Sequence, residues 1–408
     1  MNIRVHKFGG TSVATPELRT RVIHHIKQAR AEKCALVVVV SAMGRKGDPY
    51  ATDTFIEWIG QNGHSLSPRE QDLLLSCGEI ISASTLSSLL NEEGISNTVL
   101  TGGQAGIITN NKYTDAQIVT INPARVREEL EQGNVVVLAG FQGRTTEGEV
   151  TTLGRGGSDT TATALGVALE AEVVDIFTDV EGIMTADPRI VEDASPLETV
   201  TYTEICNLAF QGAKVIHPRA VELAMQTNVP IRVRSTMSDH TGTLVTNIHE
   251  KDKVAGEVGE RVITGITQMA NVTQIKVAAK EGEYDLQFTV FKAMAENGIS
   301  VDFISINPSG IAYTVYDHVA EQARDILRSL GFEPELHRSC AKVSVVGAGI
   351  AGVPGVMSRI AEALTEKDIQ ILQSADSHTT IWVLVKGDDM VNAVRSLHHK
   401  FDLHKAYI

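Results

Sequence analysis

Two runs of aliphatic residues constrain the fold of this chain more than any other feature: Leu36-Val37-Val38-Val39-Val40 and Val135-Val136-Val137-Leu138. A strand that is apolar at every position, rather than at alternate ones, is covered on both faces. Such strands belong to parallel sheets sandwiched between helices. Four more segments read as strands, Ile3 to Phe8, Thr98 to Leu100, Val173 to Phe177 and Ile231 to Val233, with helical stretches between them up to about Ser235. The helices carry start signals. Thr15-Pro16 supplies a cap and a proline at the first helical position, and Leu18, Val22, Ile26 and Ala29 follow at helical spacing. Ser67-Pro68-Arg69-Glu70 is a capping box predicted to open one long helix that stops near Gly94, and Thr201-Tyr202-Thr203-Glu204 repeats the device.

The chain has 408 residues, too many for one core of this kind. The pattern changes after a polar, charge-rich stretch from Asn247 to Glu260. Beyond it a repeat emerges at an offset of about 70 residues. Glu296-Asn297-Gly298-Ile299-Ser300-Val301 matches Glu366-Lys367-Asp368-Ile369-Gln370-Ile371, and Ile311-Ala312-Tyr313-Thr314-Val315 matches Ile381-Trp382-Val383-Leu384-Val385. Each copy reads strand, helix, strand, strand, helix, strand, the βαββαβ order of a ferredoxin-like unit. The predicted organisation is an α/β domain over 1–246, a linker over 247–263, and two small units over 264–338 and 339–408.

Charge and cysteine usage narrow the function. The net charge of -14, from 36 Lys and Arg against 50 Asp and Glu, argues against nucleic acid or an anionic membrane as partner. A small anionic ligand then requires a local cationic pocket. Cys34, Cys77, Cys206 and Cys340 form no CxxC pair, which disfavours a zinc or dithiol site and fits a reduced, cytoplasmic protein. The N-terminus has no apolar signal core, and no apolar run approaches a membrane span.

The motifs sit where strands end. Lys7-Phe8-Gly9-Gly10-Thr11-Ser12 closes the first strand; paired glycines there let backbone N–H groups approach an anion, with Lys7 as a point charge. A tight turn explains the same glycines, and the P-loop pattern is absent. Ser41-Ala42-Met43-Gly44 closes the second strand, which puts Ser41 at the carboxyl edge where open α/β sheets bind ligands. Gly154-Arg155-Gly156-Gly157-Ser158-Asp159 leads into a helix predicted from Thr160 to Leu169. Ser158 or Asp159 serves as its N-cap on the structural reading, which leaves Arg155 unexplained. An arginine in a backbone nest can instead grip a carboxylate, with Asp159 orienting a lysine or a metal-bound phosphate. Glu79 in Ser76-Cys77-Gly78-Glu79 is ordinarily a solvated helix residue, yet it adjoins a glycine that close backbone approach would justify. The loop Thr178-Asp179-Val180-Glu181-Gly182-Ile183-Met184-Thr185-Ala186-Asp187-Pro188-Arg189 reads as a polar turn. Lys214, in Gly212-Ala213-Lys214-Val215-Ile216-His217-Pro218 between two helices, is either a surface charge or a second phosphate cation.

In order and spacing, KFGGTSV at 7–13, VSAMG at 40–44, SCGE at 76–79, GRGGSD at 154–159, TDVEGIMTADPR at 178–189 and GAKVIHP at 212–218 resemble the aspartate kinases of the amino-acid kinase superfamily. The two C-terminal units resemble their paired ACT domains. The likeness is greatest to the diaminopimelate-sensitive form of Bacillus-type bacteria. It implies an amino-acid kinase fold followed by two ACT units, and transfer of the γ-phosphoryl of ATP, with Mg2+, to the β-carboxylate of L-aspartate. It further implies that Lys7 and Asp159 are catalytic and that Lys7, Phe8, Gly9, Gly10, Ser41, Thr178, Asp179, Met184, Asp187, Arg189 and Lys214 contact ATP. Thr52, Glu79, Arg155, Gly156, Gly157 and Ser158 would bind aspartate. A feedback amino acid, whether diaminopimelate, lysine or threonine, would meet Ser300 and Asp302 or Val353, Pro354 and Gly355. The resemblance implies a homodimer formed through the ACT units and names no residue as a metal ligand.

Two departures bear on the effector: Lys280-Glu281-Gly282-Glu283-Tyr284-Asp285 replaces the usual Asp-x-Pro-Gly turn, and Gln373-Ser374-Ala375-Asp376 replaces Thr-Ser-Glu. Gly347-Ala348-Gly349-Ile350-Ala351-Gly352 satisfies GxGxxG, but too little chain follows for a dinucleotide-binding domain and the element order matches the repeat. Glutamate 5-kinase or acetylglutamate kinase shares the fold without the ACT pair. A catalytically silent amino-acid sensor is disfavoured by the intact Lys7, Arg155, Asp159 and Lys214.

Overall fold

In the computed structural model, which describes residues 1–61, 66–213, 215–247, 262–279, 285–347, 350 and 352–405, the two aliphatic runs are neighbouring strands of an eight-stranded sheet. Its order is Thr199–Thr201, Thr243–Thr246, Ile231–Ser235, Val173–Thr178, Ile3–Phe8, Ala35–Val40, Val135–Ala139, Asn97–Leu100. From Ile231–Ser235 onward the strands are parallel, and the two at the other edge run antiparallel to them. All six predicted strands are present, each within two residues of its expected ends.

Helix Pro16–Ala31 starts as read, with Thr15 Oγ1 accepting the Leu18 N–H and Pro16 at the first position. Its Val22, Ile23 and Ile26 pack with Ala83, Leu86 and Leu90 of helix Cys77–Glu92 against Leu36, Val38, Val135 and Val137. Helix Gly157–Leu169 lies on Ile3–Phe8. A Cβ on its Gly166 would meet Val174 Cγ2 at 2.3 Å, so only glycine permits that approach. At Thr201–Glu204 the capping box is complete: Glu204 Oε2 accepts the Thr201 N–H at 2.7 Å and Thr201 Oγ1 accepts the Glu204 N–H at 3.2 Å.

Several expectations are corrected. The long helix after Ser67 is two helices, Pro68–Leu75 and Cys77–Glu92. They break at Ser76, whose carbonyl accepts the Gln142 side-chain amide at 3.0 Å while the Ile80 N–H stands back at 3.5 Å. Pro68–Glu92 taken together is long and apolar enough to cross a membrane by length and composition. Its Asp72, Ser76, Glu79 and Ser82 are nevertheless buried inside the domain, as in a core helix. The helix expected from Thr160 begins at Gly157, with Gly156 at the N-cap in the left-handed region (φ 70°) and no side-chain cap, so neither Ser158 nor Asp159 caps it. A second sheet of four strands, Ile118–Ile121, Ile107–Thr109, Gln142–Arg144 and Val150–Thr152, was not anticipated. Strands of three or four residues are too short to show alternation.

The chain divides into two compact units, and the second contains Met184–Ser195 and Phe210–Ala213 as well as the C-terminal region. Its six-stranded sheet has the order Asp302–Asn307, Gly310–Tyr316, Gly265–Ala278, Glu335–Val346, Thr380–Lys386, Gln373–Asp376, all antiparallel. Helices Leu286–Glu296 and Asp317–Ser329 pack on one half, and Val356–Thr365 and Met390–Lys400 on the other. The first copy keeps the predicted element order. In the second, no strand follows Met390–Lys400 among the described residues, and 265–269 pairs with 342–346 in its place. A bulge after Met269, with Asn271 at φ 59°, lets one long strand serve both halves. The sequence repeat cannot show this, because the borrowed strand lies a whole unit upstream. Most of the predicted linker, Lys280 to Tyr284, and residues 348, 349 and 351 of the GxGxxG run lie outside the described residues.

One buried polar set locks the large sheet. Asp175 is fully buried, and its neighbours in register on the flanking strands are His6 and Arg232. His6 Nε2 lies 3.2 Å from Asp175 Oδ2, and Arg232 Nε 2.6 Å from Oδ1. Burial pushes the Asp175 carboxyl up, but the hydrogen bonds and charges of His6 and Arg232 outweigh burial and hold it well below the usual carboxylate range. A group depressed in the folded state stabilises above its unfolded pKa and loses that contribution as pH falls below it. Asp175→Ala therefore lowers unfolding free energy at pH 7 by about 3–5 kcal/mol in urea titrations, and its deficit relative to the parent shrinks below pH ~3.9.

Candidate active site

Parallel strands deliver their loops to one edge. Here Phe8, Val40, Ala139 and Thr178 end neighbouring strands on the same side of the sheet. The Gly9-Gly10 loop emerges between the loops that follow Val40 and Thr178. A Cβ on Gly10 would fall 2.5 Å from the Ala42 carbonyl and 2.7 Å from that of Gly44, so this glycine is required by the crossing of two loops. Gly10–Val13 then forms a single 3-10 turn with no side-chain cap before it.

The second glycine cluster approaches from the helix side. Gly154 and Gly156 have φ of 72° and 70°, and a Cβ on Gly156 would lie 2.1 Å from the His217 ring. This tight turn starts the helix so that Asp159, in its first turn, meets Lys7: Nζ to Oδ1 is 2.6 Å. The other Asp159 oxygen accepts the His217 N–H at 3.3 Å. Ser158 is buried, whereas Arg155 is exposed and makes no hydrogen bond or ion pair among the described residues.

A cavity of about 570 Å³ opens between these loops. It brings together Lys7, Ser41, Thr52, Glu79, Arg155, Gly156, Gly157, Ser158 and Asp159, with Ile56, Leu75 and Phe141 as apolar wall. Glu79 is 2% exposed, so the solvated reading of this residue fails. Its Oε1 accepts the Ala42 N–H at 3.0 Å, and its Oε2 is buried with no partner. Burial pushes its carboxyl up to about 8. The neighbouring glycine has the suspected cause: a Cβ on Gly78 would lie 2.8 Å from that of Ala42. The cavity thus offers an unsatisfied carboxyl oxygen for a cation and an uncommitted guanidinium for a carboxylate.

Three contributors, Asp72, Thr114 and Thr152, escaped the sequence reading. Asp72 is fully buried and accepts the Thr114 N–H at 3.0 Å, the Thr152 N–H at 2.8 Å and the Thr152 hydroxyl at 2.6 Å. Thr114 and Thr152 both line the cavity, and Thr114 is held at φ 69°, a strained conformation for a β-branched residue. Burial raises the Asp72 carboxyl, against these hydrogen bonds. Gln71 and Leu75, at i and i+4 of helix Pro68–Leu75, line the cavity as well.

Other expected contacts lie elsewhere. The Phe8 side chain is in the core, stacked on Phe177 at 4.5 Å, which leaves only its backbone for a ligand. Thr178 and Asp179 stand at the strand end across the Gly9-Gly10 loop from the cavity, with Asp179 paired to Arg45 at 2.8 Å. Met184, Asp187 and Arg189 belong to the second compact unit, where Asp187 binds Arg189 at 2.7 Å. Lys214 lies outside the described residues. In the second unit Ser300 is exposed, and the Asp302 carboxylate is paired to the buried ammonium of Lys342, a partner the sequence did not reveal. Val353 and Pro354 are exposed ahead of Gly355, which caps helix Val356–Thr365 at φ 89°.

Residues 2–235 match the Amino acid kinase family and residues 335–399 an ACT domain. Aspartokinase 1 of Bacillus subtilis (strain 168) is 59% identical over 405 residues, covering 99% of this chain and 100% of the relative. The aspartokinase of Geobacillus stearothermophilus is 39% identical over 409 residues, covering 99% and 98%. Aspartate kinase from Synechocystis superposes with a TM-score of 0.82 at 27% identity, over 100% of this chain and 99% of that one. E. coli aspartokinase III in complex with aspartate and ADP, its R-state, superposes at 0.76 and 25% identity, over 98% and 99%; a T-state structure of it holds lysine and aspartate. On this evidence the chain belongs to the amino acid kinase family and, within it, to the aspartokinases of the Bacillus type.

Proposed function

We propose that the chain transfers the γ-phosphoryl of ATP to the β-carboxylate of L-aspartate, yielding 4-phospho-L-aspartate, under feedback from an amino acid at its ACT region. The carrying observation is the pairing within one cavity of a buried, half-satisfied Glu79 with an uncommitted Arg155, beside the Lys7–Asp159 ion pair. An α-amino acid presents one cation and one anion, and these two side chains complement them. Glu79 takes the α-ammonium, Arg155 the α-carboxylate, Thr52 a further hydrogen bond, and Gly156, Gly157 and Ser158 shape the floor.

The attacking β-carboxylate, with an ordinary pKa near ~3.9, is ionised at neutral pH and needs no general base. Catalysis therefore rests on position and charge. Lys7 and the Gly9-Gly10 amides hold the transferring phosphoryl with Ser41 beside them, and Asp159 keeps Lys7 aimed. Thr178, Asp179 and Lys214 attend the nucleotide. Mg2+ accompanies ATP as its counter-ion, and Asp159 keeps the lysines and the bound nucleotide in register. The lysine-bound T-state of the E. coli relative supports an amino-acid effector, of which diaminopimelate, lysine and threonine are the candidates. A homodimer through the ACT units and a cytoplasmic location complete the proposal.

An ATP-dependent hydroxamate assay with aspartate, glutamate and acetylglutamate shows product with aspartate alone. Lys7→Ala and Asp159→Ala each lose about 1,000-fold or more in kcat, while Arg155→Ala chiefly raises the aspartate KM, by about 100-fold. Parent-like product formation by Lys7→Ala would overturn the assignment.

The Glu79 carboxyl gives a pH signature. In the empty cavity it is protonated below about 8, and it must lose that proton to hold an ammonium. The aspartate KM of the parent therefore falls with rising pH, approaching tenfold per unit, and levels off near pH 8. Glu79→Gln has a KM about 100-fold higher and loses this slope. Initial rates across pH 6–9 read both; a flat parent profile rules out the ammonium role.

A further inference from the structure

The turn that presents Arg155 is closed by the Gly157 N–H on the Gly154 carbonyl at 3.0 Å, with Gly156 left-handed at its third position. Arg155, at the second position, has no hydrogen bond or ion pair of its own among the described residues. The direction in which its guanidinium enters the cavity is therefore set by the turn and by whatever holds the turn in place.

That support comes from distant parts of the chain. Residues 152–154, which lead into the turn, lie beside residues 114–116: the Ala116 N–H donates to the Thr152 carbonyl at 2.8 Å. A Cβ on Gly154 would fall 3.0 Å from Asp115 Oδ1 and 3.4 Å from the Thr114 carbonyl oxygen. From helix Pro68–Leu75, both Asp72 oxygens accept the Thr114 N–H at 3.0 Å, while one accepts the Thr152 N–H and the other its hydroxyl. From helix Pro218–Thr227, Arg219 donates to the Leu153 carbonyl at 2.9 Å and the Ala116 carbonyl at 3.4 Å, and its guanidinium lies 3.6 Å from Asp115. One carboxylate and one guanidinium thus grip the same two segments. Burying a carboxyl and holding the β-branched Thr114 at φ 69° both cost free energy. Neither is needed merely to pair the segments, which the Ala116–Thr152 hydrogen bond already joins.

We propose that Asp72 and Arg219 are positioning residues for the amino-acid substrate: by fixing 114–116 against 152–154 they aim Arg155 at the α-carboxylate. The proposal rests on the reading of Arg155 given above. Neither residue lines the cavity, so both act through the turn. Other groups hold the phosphoryl and the nucleotide. A slackened turn therefore weakens the hold on aspartate and leaves the hold on ATP as it was, because an arginine fork discriminates a carboxylate only when it is correctly oriented.

The test uses the full chain and initial rates with aspartate and ATP varied separately. Asp72→Ala and Arg219→Gln each raise the aspartate KM by about 10–100-fold, with the ATP KM and kcat near those of the parent. Asp72→Asn recovers most of the loss, because an oxygen in the Oδ2 place still accepts both N–H groups while the amide donates to the Thr152 hydroxyl. Arg127→Gln removes another arginine hydrogen bond to a backbone carbonyl, that of Ala168 at 3.3 Å, and leaves the aspartate KM unchanged. In an Arg155→Ala background, Asp72→Ala and Arg219→Gln add no more than about twofold, since the group they aim is gone. Should Asp72→Ala not fold, Arg219→Gln decides, at a side chain 32% exposed. A parent-like aspartate KM in Arg219→Gln, an ATP KM that rises in step, or full additivity with Arg155→Ala would overturn the proposal and leave the role of Arg155 standing. An unchanged aspartate KM in Arg155→Ala alone would overturn that role, and the proposal with it.

Discussion

The placement of everything at the carboxyl edge of the large sheet depends on the register of three strands, and a buried charge set holds that register. His6, Asp175 and Arg232 are level with one another on adjacent strands. Because side chains alternate along a strand, His6 on one face puts Lys7 on the other, under helix Gly157–Leu169, where it meets Asp159. A slip of one residue would send Lys7 among Phe177 and His25 and bring His6 to the face where Asp159 lies. Loss of Asp175 would leave the half-buried Arg232 without its carboxylate partner.

From that register the site assembles through close backbone approaches. Gly10 lies against the Ala42–Gly44 carbonyls, Gly78 against Ala42 and Gly156 against His217. Each admits no side chain, and together they draw three loops and one helix around a cavity that no single element could enclose. Thr114, kept in a strained conformation by Asp72, completes the wall. Rigid sheet and helix ends, rather than mobile loops, thus aim the charged groups.

The acidic balance of the chain takes on a narrower meaning. A net charge of -14 repels polyanions, yet a small anion sees only its pocket. There Lys7 is matched by Asp159, burial favours the neutral form of Glu79, and Arg155 carries an uncompensated charge among the described residues. Local placement outweighs overall charge because the Debye length, about 8–10 Å, is shorter than the molecule.

Much of this was legible in advance. Continuous aliphatic runs have one stable use, so the covered parallel strands followed from composition at each position. Glycines bracketed by a lysine or an arginine marked where those strands would end. Local capping chemistry was readable at Thr15 and Thr201, where the partners are neighbours in sequence, but not at Gly156, where the turn is imposed by packing against His217. What required the tertiary structure was every relation between distant residues. The burial of Glu79, the Asp72–Thr114 support, the Lys342–Asp302 pair and the strand that 265–269 lends to the far half of the second sheet are all of this kind. The sequence by itself determined which backbone each segment can adopt, because propensity and pattern are local. Only the folded chain decided which carboxylates lose their water and which find a partner, because desolvation and pairing are set by neighbours that the sequence keeps far apart.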